Sequence, residues 1–120
     1  MAESRSTAGK TTIALDVLLT IAKLTTLNVQ GVNRLSTTHG DDVKSIFKRG
    51  HHDTGILIDV KNDTVYADLY VVLNHDVNIR DVCRSIQQEV SRAISEMVGM
   101  QVGRVNVHVK DIDYPMETEE

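Results

Sequence analysis

A chain of 120 residues is long enough for one hydrophobic core and too short for two, so a single domain is expected. Its apolar content of 41% and charged content of 25% are those of a globular domain and not of a disordered chain. Five of the 17 acidic residues lie in residues 111–120, which leaves a nearly neutral body with few aromatic residues and argues against a nucleic-acid-binding protein.

Two further features narrow the class of protein. No apolar run approaches the ~18 residues of a membrane span, so direct membrane insertion is not expected. The single cysteine, Cys83, cannot form an internal disulfide, and its place on an apolar helix stripe favours a buried small hydrophobe over a reactive thiol.

The first 35 residues predict a lead-in, a helix and a strand. Residues 1–9 are small and polar and predict a flexible segment. A short extended stretch at 10–14 then leads into a helix of about 16–27, with Asp16 as its N-cap. Residues 28–35 predict a short strand with a bend at Gly31. One face of the helix is expected to hold Val17, Leu18, Ile21, Ala22 and Thr25.

The start of this region contains a partial nucleotide-binding motif. Gly9, Lys10 and Thr11 match the end of a phosphate-binding loop, but that loop needs a glycine where this chain has Ser4. Nucleotide binding is therefore not expected.

Residues 36–54 hold most of the unusual polar side chains. A short helix is expected around Val43, Ile46 and Phe47. Its other face carries a basic patch, which is either a solvated surface or a contact for an anionic lipid head group or an acidic partner. That patch consists of Lys44, Lys48 and Arg49. The pair His51-His52, near His39 and Asp53, is either a metal site or a solvated polar loop.

A β-hairpin follows, and its register can be derived. A two-residue turn at Asn62-Asp63 places apolar residues opposite one another on one face, whereas a shift by one residue would scatter them. The predicted pairs are Lys61 with Thr64, Val60 with Val65, Ile58 with Ala67, and Ile56 with Leu69. The opposite face then carries Leu57, Asp59, Tyr66, Asp68, Tyr70 and Val72. Among these, Leu57, Tyr66, Tyr70 and Val72 are expected to be exposed and to form a partner-binding surface.

The last third of the chain predicts a long amphipathic helix and a final strand. Asn78 is the expected N-cap, with Asp81 near the positive end of the helix dipole, and Gly99 is the expected end. The helix stripe comprises Ile79, Val82, Cys83, Ile86, Val90, Ala93, Ile94 and Met97. A strand through Val105, Val107 and Val109 follows, and its alternation loses phase at Asp111-Ile112. The turn before the helix, His75-Asp76, is either a polar turn or a candidate active site.

Several segments together resemble the alkaline shock protein family of bacterial envelope-stress proteins. The matching stretches are GKTTIALDVLLTIAKLTTLNVQGVNRL, GILIDV, VYADLYVVLN and NIRDVCRSIQQEVSRAISEMVGMQVGRVNVHV. The chain differs from the family at His75-Asp76, where an aromatic residue and a glycine are usual, and in residues 36–54, which are longer and more basic. The shared motifs are structural and carry no catalytic residues.

The residue patterns predict a two-layer α+β domain over residues 10–114, followed by an acidic tail at 115–120. Its mixed sheet has about four or five strands, with two main helices on one face. The resemblance implies a non-enzymatic scaffold protein without a cofactor, cytoplasmic and recruited to the cell membrane by a small membrane-anchored protein, or self-associating. The alternative is a small-ligand or metal-binding enzyme that uses the His75-Asp76 turn or the His51-His52 loop.

Overall fold

Two helices and a five-stranded mixed sheet make up the computed structural model, which describes residues 9–36, 51–53 and 55–115. The elements are α1 (Leu15–Leu27), β1 (Val32–Leu35), β2 (His51–Asp53), β3 (Ile56–Lys61), β4 (Thr64–Asn74), α2 (Ile79–Ala93) and β5 (Gln101–Asp113). A π-helical turn, Ile94–Val98, continues α2. The predicted α+β class with a mixed sheet is confirmed.

The β3–β4 hairpin has the predicted turn and register. Asn62 and Asp63 have φ angles of 52° and 65°, the left-handed conformation that a type I′ turn requires and that Asn and Asp tolerate. All four predicted residue pairs are found, from Lys61 opposite Thr64 to Ile56 opposite Leu69. The apolar alternation of the two strands therefore fixed the register.

Strand β4 is the centre of the sheet and pairs with three strands. The strand β5 runs parallel along one edge of β4, and the other edge is shared by β3 and then β1, both antiparallel. The change of partner occurs at Tyr70, whose N–H donates to the Gly55 carbonyl at 2.8 Å and whose carbonyl accepts from the Ser36 N–H at 2.7 Å. Gly55 has a φ of +73°, and a Cβ there would lie 2.8 Å from the Ser36 carbonyl oxygen. Only glycine fits this junction.

The helical region formed by α2 and the π-helical turn begins and ends as predicted. The Asn78 side chain accepts a hydrogen bond from the Asp81 N–H at 3.0 Å, and Gly99 ends the helical region with a φ of 81°. The predicted inward position of Met97 is wrong, because its side chain is 71% exposed. The π-helical turn holds more residues per turn than an α-helix, so Val98 packs against the core in place of Met97. Ile79, the first residue of the helix, is also exposed.

The helix α1 is rotated relative to the prediction. Its buried residues are Leu18, Leu19, Ala22 and Thr26, while Val17 is 46% exposed. Apolar residues lie on both sides of α1, so periodicity alone could not identify the buried side. Its N-cap is Ala14 and Asp16 lies in the first turn, so the predicted cap is wrong. Residues 10–14 form no strand, and β1 begins only at Val32, after Gly31 with its φ of 103°.

The core lies between the two helices and one face of the sheet. Alternate residues of β3 and β4 face the helices, and β5 adds Val105. The sheet residues of the core are Leu35, Ile56, Ile58, Val65, Ala67, Leu69, Val71, Leu73 and Val105. The predictions for residues 1–8, for the helix around Val43, for the basic patch Lys44, Lys48 and Arg49, and for the tail from residue 116 lie outside the described residues.

Candidate functional site

The sheet has a second face that is turned away from both helices, here called the outer face. Residues that alternate with the core positions of β3, β4 and β5 form it, so the same period that builds the core also builds this surface. Across β4 and β5, Tyr66 lies opposite Arg104, Asp68 opposite Asn106, and Tyr70 opposite His108. Its members are Leu57, Asp59, Tyr66, Asp68, Tyr70, Val72, Arg104, Asn106, His108, Lys110 and Asp111.

Most of the apolar part of the outer face is less exposed than the sequence predicted. Leu57, Tyr70 and Val72 are only 5%, 7% and 3% exposed, and of the four predicted residues Tyr66 alone is half-buried. Each buried residue lies on a strand with neighbours on both sides, and His108 also covers the Tyr70 ring. The expectation of exposure is wrong for these three, and their role as a partner surface stays a prediction.

Asp68 is the centre of a polar network on this face. One of its carboxylate oxygens accepts a hydrogen bond from the Asn106 side-chain amide at 3.1 Å and lies 3.0 Å from Nε2 of His108. The Asp68 and His108 side chains are 37% and 41% exposed, so water reaches the pair. The network holds three side chains of two adjacent strands in fixed positions.

Aromatic rings and cations extend the network along the sheet. The His108 ring stacks on the Tyr70 ring with centroids 4.5 Å apart and an interplanar angle of 16°. The Lys110 ammonium lies 6.0 Å from the Tyr70 ring centre, and the Arg104 guanidinium lies 5.7 Å from that of Tyr66. Both cations are in reach of the negative ring faces. Because Arg104 and Lys110 are exposed, they present positive charge to solvent.

Two irregularities of β5 position these side chains. The pairing with β4 shifts register between Val65 and Tyr66 and again between Val71 and Val72, so Gly103 and Lys110 are extra residues of β5. A Cβ on Gly103 would lie 2.5 Å from Cε2 of Tyr66, so the missing side chain leaves room for the tyrosine ring. This role of Gly103 was not predicted, although a glycine within a strand pattern is a usual signal of a bulge.

The other two candidate sites lie on the turn before α2 and on strand β2. The turn residues His75 and Asp76 are exposed, and the His75 ring lies 6.2 Å from the Tyr114 ring. The residues His51 and His52 belong to strand β2, paired with Ile58 and Leu57, and not to a loop. In the part of the chain that the structure describes, no three side chains of His, Cys, Asp or Glu are grouped to hold a metal ion.

Cys83 lies half-buried on α2. Burial raises the pKa of its thiol above the ordinary value, since desolvation disfavours the thiolate. A thiol with a raised pKa is a poor nucleophile at neutral pH. The predicted full burial of Cys83 is wrong, because the side chain is only half-buried and does not belong to the core cluster.

Comparison with known proteins places this fold in a family. Residues 3–114 match the alkaline shock protein 23 family, described as having a cell envelope-related function. The uncharacterized protein YqhY of Bacillus subtilis (strain 168) is 26% identical over 112 residues, which cover 93% of this chain and 83% of that protein. The uncharacterized protein Spy1535 of Streptococcus pyogenes serotype M6 is 30% identical over 105 residues, which cover 87% of this chain and 79% of that protein.

Solved structures with the same fold include the MamM CTD. Its copper form is 10% identical, with a TM-score of 0.59 over 88% of this chain and 93% of that chain. A second MamM CTD structure, also 10% identical, has a TM-score of 0.52 over 83% of this chain and all of that chain. At this identity the likeness concerns the fold alone. Among the described residues, no helix is both long and apolar enough to cross a membrane.

Proposed function

Because this chain belongs to the alkaline shock protein 23 family, whose function is cell envelope-related, we propose that it is a non-enzymatic scaffold protein in cell-envelope stress homeostasis. It acts by protein–protein association. The observation that carries the proposal is the outer face, on which side chains of two strands hold one another in place and which neither α1 nor α2 covers.

The chemistry of the outer face suits an acidic segment of a partner protein. The Asp68 carboxylate already has two contacts within the chain, from the Asn106 amide and from the His108 ring. The exposed cations of β5 are Arg104 and Lys110, each above a tyrosine ring. The exposed acids of this strand, Asp111 and Asp113, lie together at its C-terminal end. Arginine and tyrosine are both common at the energetic centres of protein interfaces. Charge complementarity would orient an acidic partner along β5.

We further propose that the partner is a small membrane-anchored protein and that it recruits the chain to the inner face of the cell membrane. The family resemblance implies such recruitment, and the cell envelope-related function of the family supports it. The chain itself then contributes a binding surface and no reaction.

A charge-reversed outer face tests this function. The double change Arg104→Glu and Lys110→Glu alters only exposed side chains, so the fold should be retained. We expect the variant to lose most of its sedimentation with membranes from native cells, and its capture of a membrane protein by pull-down to fall about tenfold or more. Circular dichroism checks the fold.

A matched control is available on α2. Arg80→Glu with Arg84→Glu makes the same change in net charge at exposed positions far from the outer face. This control should sediment and bind as the unchanged protein does. Equal membrane association of all three proteins would rule out the outer face as the recruiting surface.

A further inference from the structure

The helix α1 carries an apolar stripe on the side that faces away from the core. Its positions recur every three or four residues, so they lie one above another along the helix. Val17, Leu24 and Leu27 are 46%, 62% and 40% exposed, and Thr20 between them is exposed as well. We call Val17, Thr20, Leu24 and Leu27 the α1 stripe. A helix that is apolar on both sides is normally covered on both sides.

The π-helical turn after α2 extends this surface. Met97, which the turn directs outward, is 71% exposed. It lines an open groove of about 560 Å³ together with Leu24, so the two most exposed large apolar side chains of the two helices share one concave surface. Clustered apolar side chains beside a groove are typical of a docking surface.

We propose that the α1 stripe is the interface at which two copies of this chain pair, with their α1 helices antiparallel. A two-fold axis near Thr20 places Val17 of one copy beside Leu24 of the other. Leu27 at the end of the stripe then lies near Ile13 of the other copy, which precedes the helix, and both residues are 40% exposed. Such a self-complementary contact is the usual form of a two-fold dimer.

The charges beside the stripe select the antiparallel arrangement. Asp16 and Lys23 lie seven residues apart, or about two turns, on the same flank of α1. Among the described residues neither has an ion-pair partner within its own chain. Antiparallel pairing places Asp16 of each copy against Lys23 of the other, which makes two ion pairs. Parallel pairing places this flank against the flank of Ile21 and Asn28, which carries no charged residue of α1, so the two helices make no ion pair with each other.

The small area of the interface indicates how stable the dimer is. A helix of 13 residues is about 20 Å long, so the paired stripes are smaller than a standard interface of about 1,200–2,000 Å². The dimer is therefore weak and forms at high local concentration. The dimer deepens the proposed scaffold function. Its role in the cell rests on that function, whereas the pairing itself is argued from α1 alone. Since α1 lies on the opposite side of the sheet, both outer faces stay open.

Sedimentation velocity of the full chain tests the pairing between about 10 µM and 1 mM, where interfaces of this size dissociate. We expect concentration-dependent dimers of the unchanged protein. Leu24→Glu should weaken dimerisation about tenfold or more, because it buries an unpaired charge at the interface. The matched control is Ile79→Glu, which alters an exposed apolar residue of α2 that is 44% exposed and should leave the dimer unchanged.

A charge swap tests the direction of the helices. Asp16→Lys and Lys23→Asp should each weaken the dimer, while the double variant restores it, since the ion pairs are rebuilt with reversed sign. Full dimerisation of both single variants would overturn the antiparallel register. A chain that stays monomeric throughout would overturn the pairing itself, and so would a Leu24→Glu variant that dimerises normally.

The outcome of the dimerisation test can be distinguished from the outcome of the membrane-capture test of the outer face. If the chain is monomeric and Leu24→Glu instead abolishes capture of the membrane protein, the stripe belongs to that partner and self-pairing is wrong. The Arg104→Glu and Lys110→Glu variant retains the α1 stripe, so its dimerisation should be normal even when its membrane capture is lost.

Discussion

Asp68 and His108 lie on neighbouring parallel strands, and a carboxylate oxygen of Asp68 is 3.0 Å from Nε2 of His108. The two residues are not directly opposite each other, because Asp68 faces Asn106 in the register of the sheet. His108 reaches diagonally while its ring stacks on Tyr70. The contact therefore links the polar and the aromatic parts of the outer face.

The first prediction concerns the strength of this contact. A double-mutant cycle of Asp68→Ala and His108→Ala should give a coupling free energy of about 0.5–1 kcal/mol, as expected for a hydrogen-bonded pair that water partly screens. Urea denaturation of the four proteins measures it. The control cycle uses Asp81 and Arg84, which are 3.5 Å apart but 70% and 66% exposed and should couple by no more than about 0.3 kcal/mol. Equal coupling free energies in the two cycles would show that the Asp68–His108 contact is no stronger than an exposed ion pair.

The second prediction concerns the strand junction at Gly55. Gly55→Ala should lower the free energy of unfolding by about 2 kcal/mol or more, because its Cβ would meet backbone atoms of Ser36 and Tyr70 at a positive φ. Gly99→Ala is the matched control, since Gly99 also has a positive φ but nothing lies within 4 Å of the added Cβ. Gly99→Ala should lower the free energy of unfolding by about 1 kcal/mol, which is the cost of holding alanine in the left-handed conformation. Equal losses in both variants would contradict the role of Gly55 as a close-packed junction.

The third prediction concerns a buried hydroxyl. The Thr26 side chain is fully buried, and its Oγ1 has no hydrogen-bond partner among the described residues. Thr26→Val keeps the shape and removes the unsatisfied oxygen, so the free energy of unfolding should rise by about 1 kcal/mol and Tm by a few degrees. Thr25→Val, at the half-buried neighbouring position, should change stability little. A destabilised Thr26→Val variant would mean that the hydroxyl makes a hydrogen bond after all.

The fourth prediction concerns Cys83. Because burial raises the pKa of its thiol, the rate of alkylation by iodoacetamide should increase at a higher pH than in the urea-unfolded chain. The thiolate is disfavoured in the folded protein, so the thiol's contribution to stability is present below the unfolded-state pKa and is lost as the pH rises through the folded-state pKa. Cys83→Ser provides the unreactive control. Alkylation that is as fast in the folded chain as in the unfolded one would refute the raised pKa.

The sequence alone determined the elements whose residues interact locally or through strict alternation. The β3–β4 register follows from Asn62-Asp63 and the apolar residues beside it, because one residue of slip would expose a whole face. The limits of α2 follow from Asn78 and Gly99, which act on backbone groups within one turn. These features need no knowledge of what the elements pack against.

Only the tertiary structure decided which of two chemically similar faces is buried and which side chains meet across strands. In α1 both sides are apolar, so packing against the sheet selected Leu19 and Thr26 and left Val17 and Leu24 outside. On the outer face, the bulge at Gly103 sets the register that places His108 over Tyr70 and within reach of Asp68. Each bulge lies where the apolar spacing of β5 widens from two residues to three, between Val102 and Val105 and between Val109 and Ile112, so the spacing indicates a change of phase. It does not indicate which strand β5 pairs with or in which register, because that pairing joins segments far apart in the sequence.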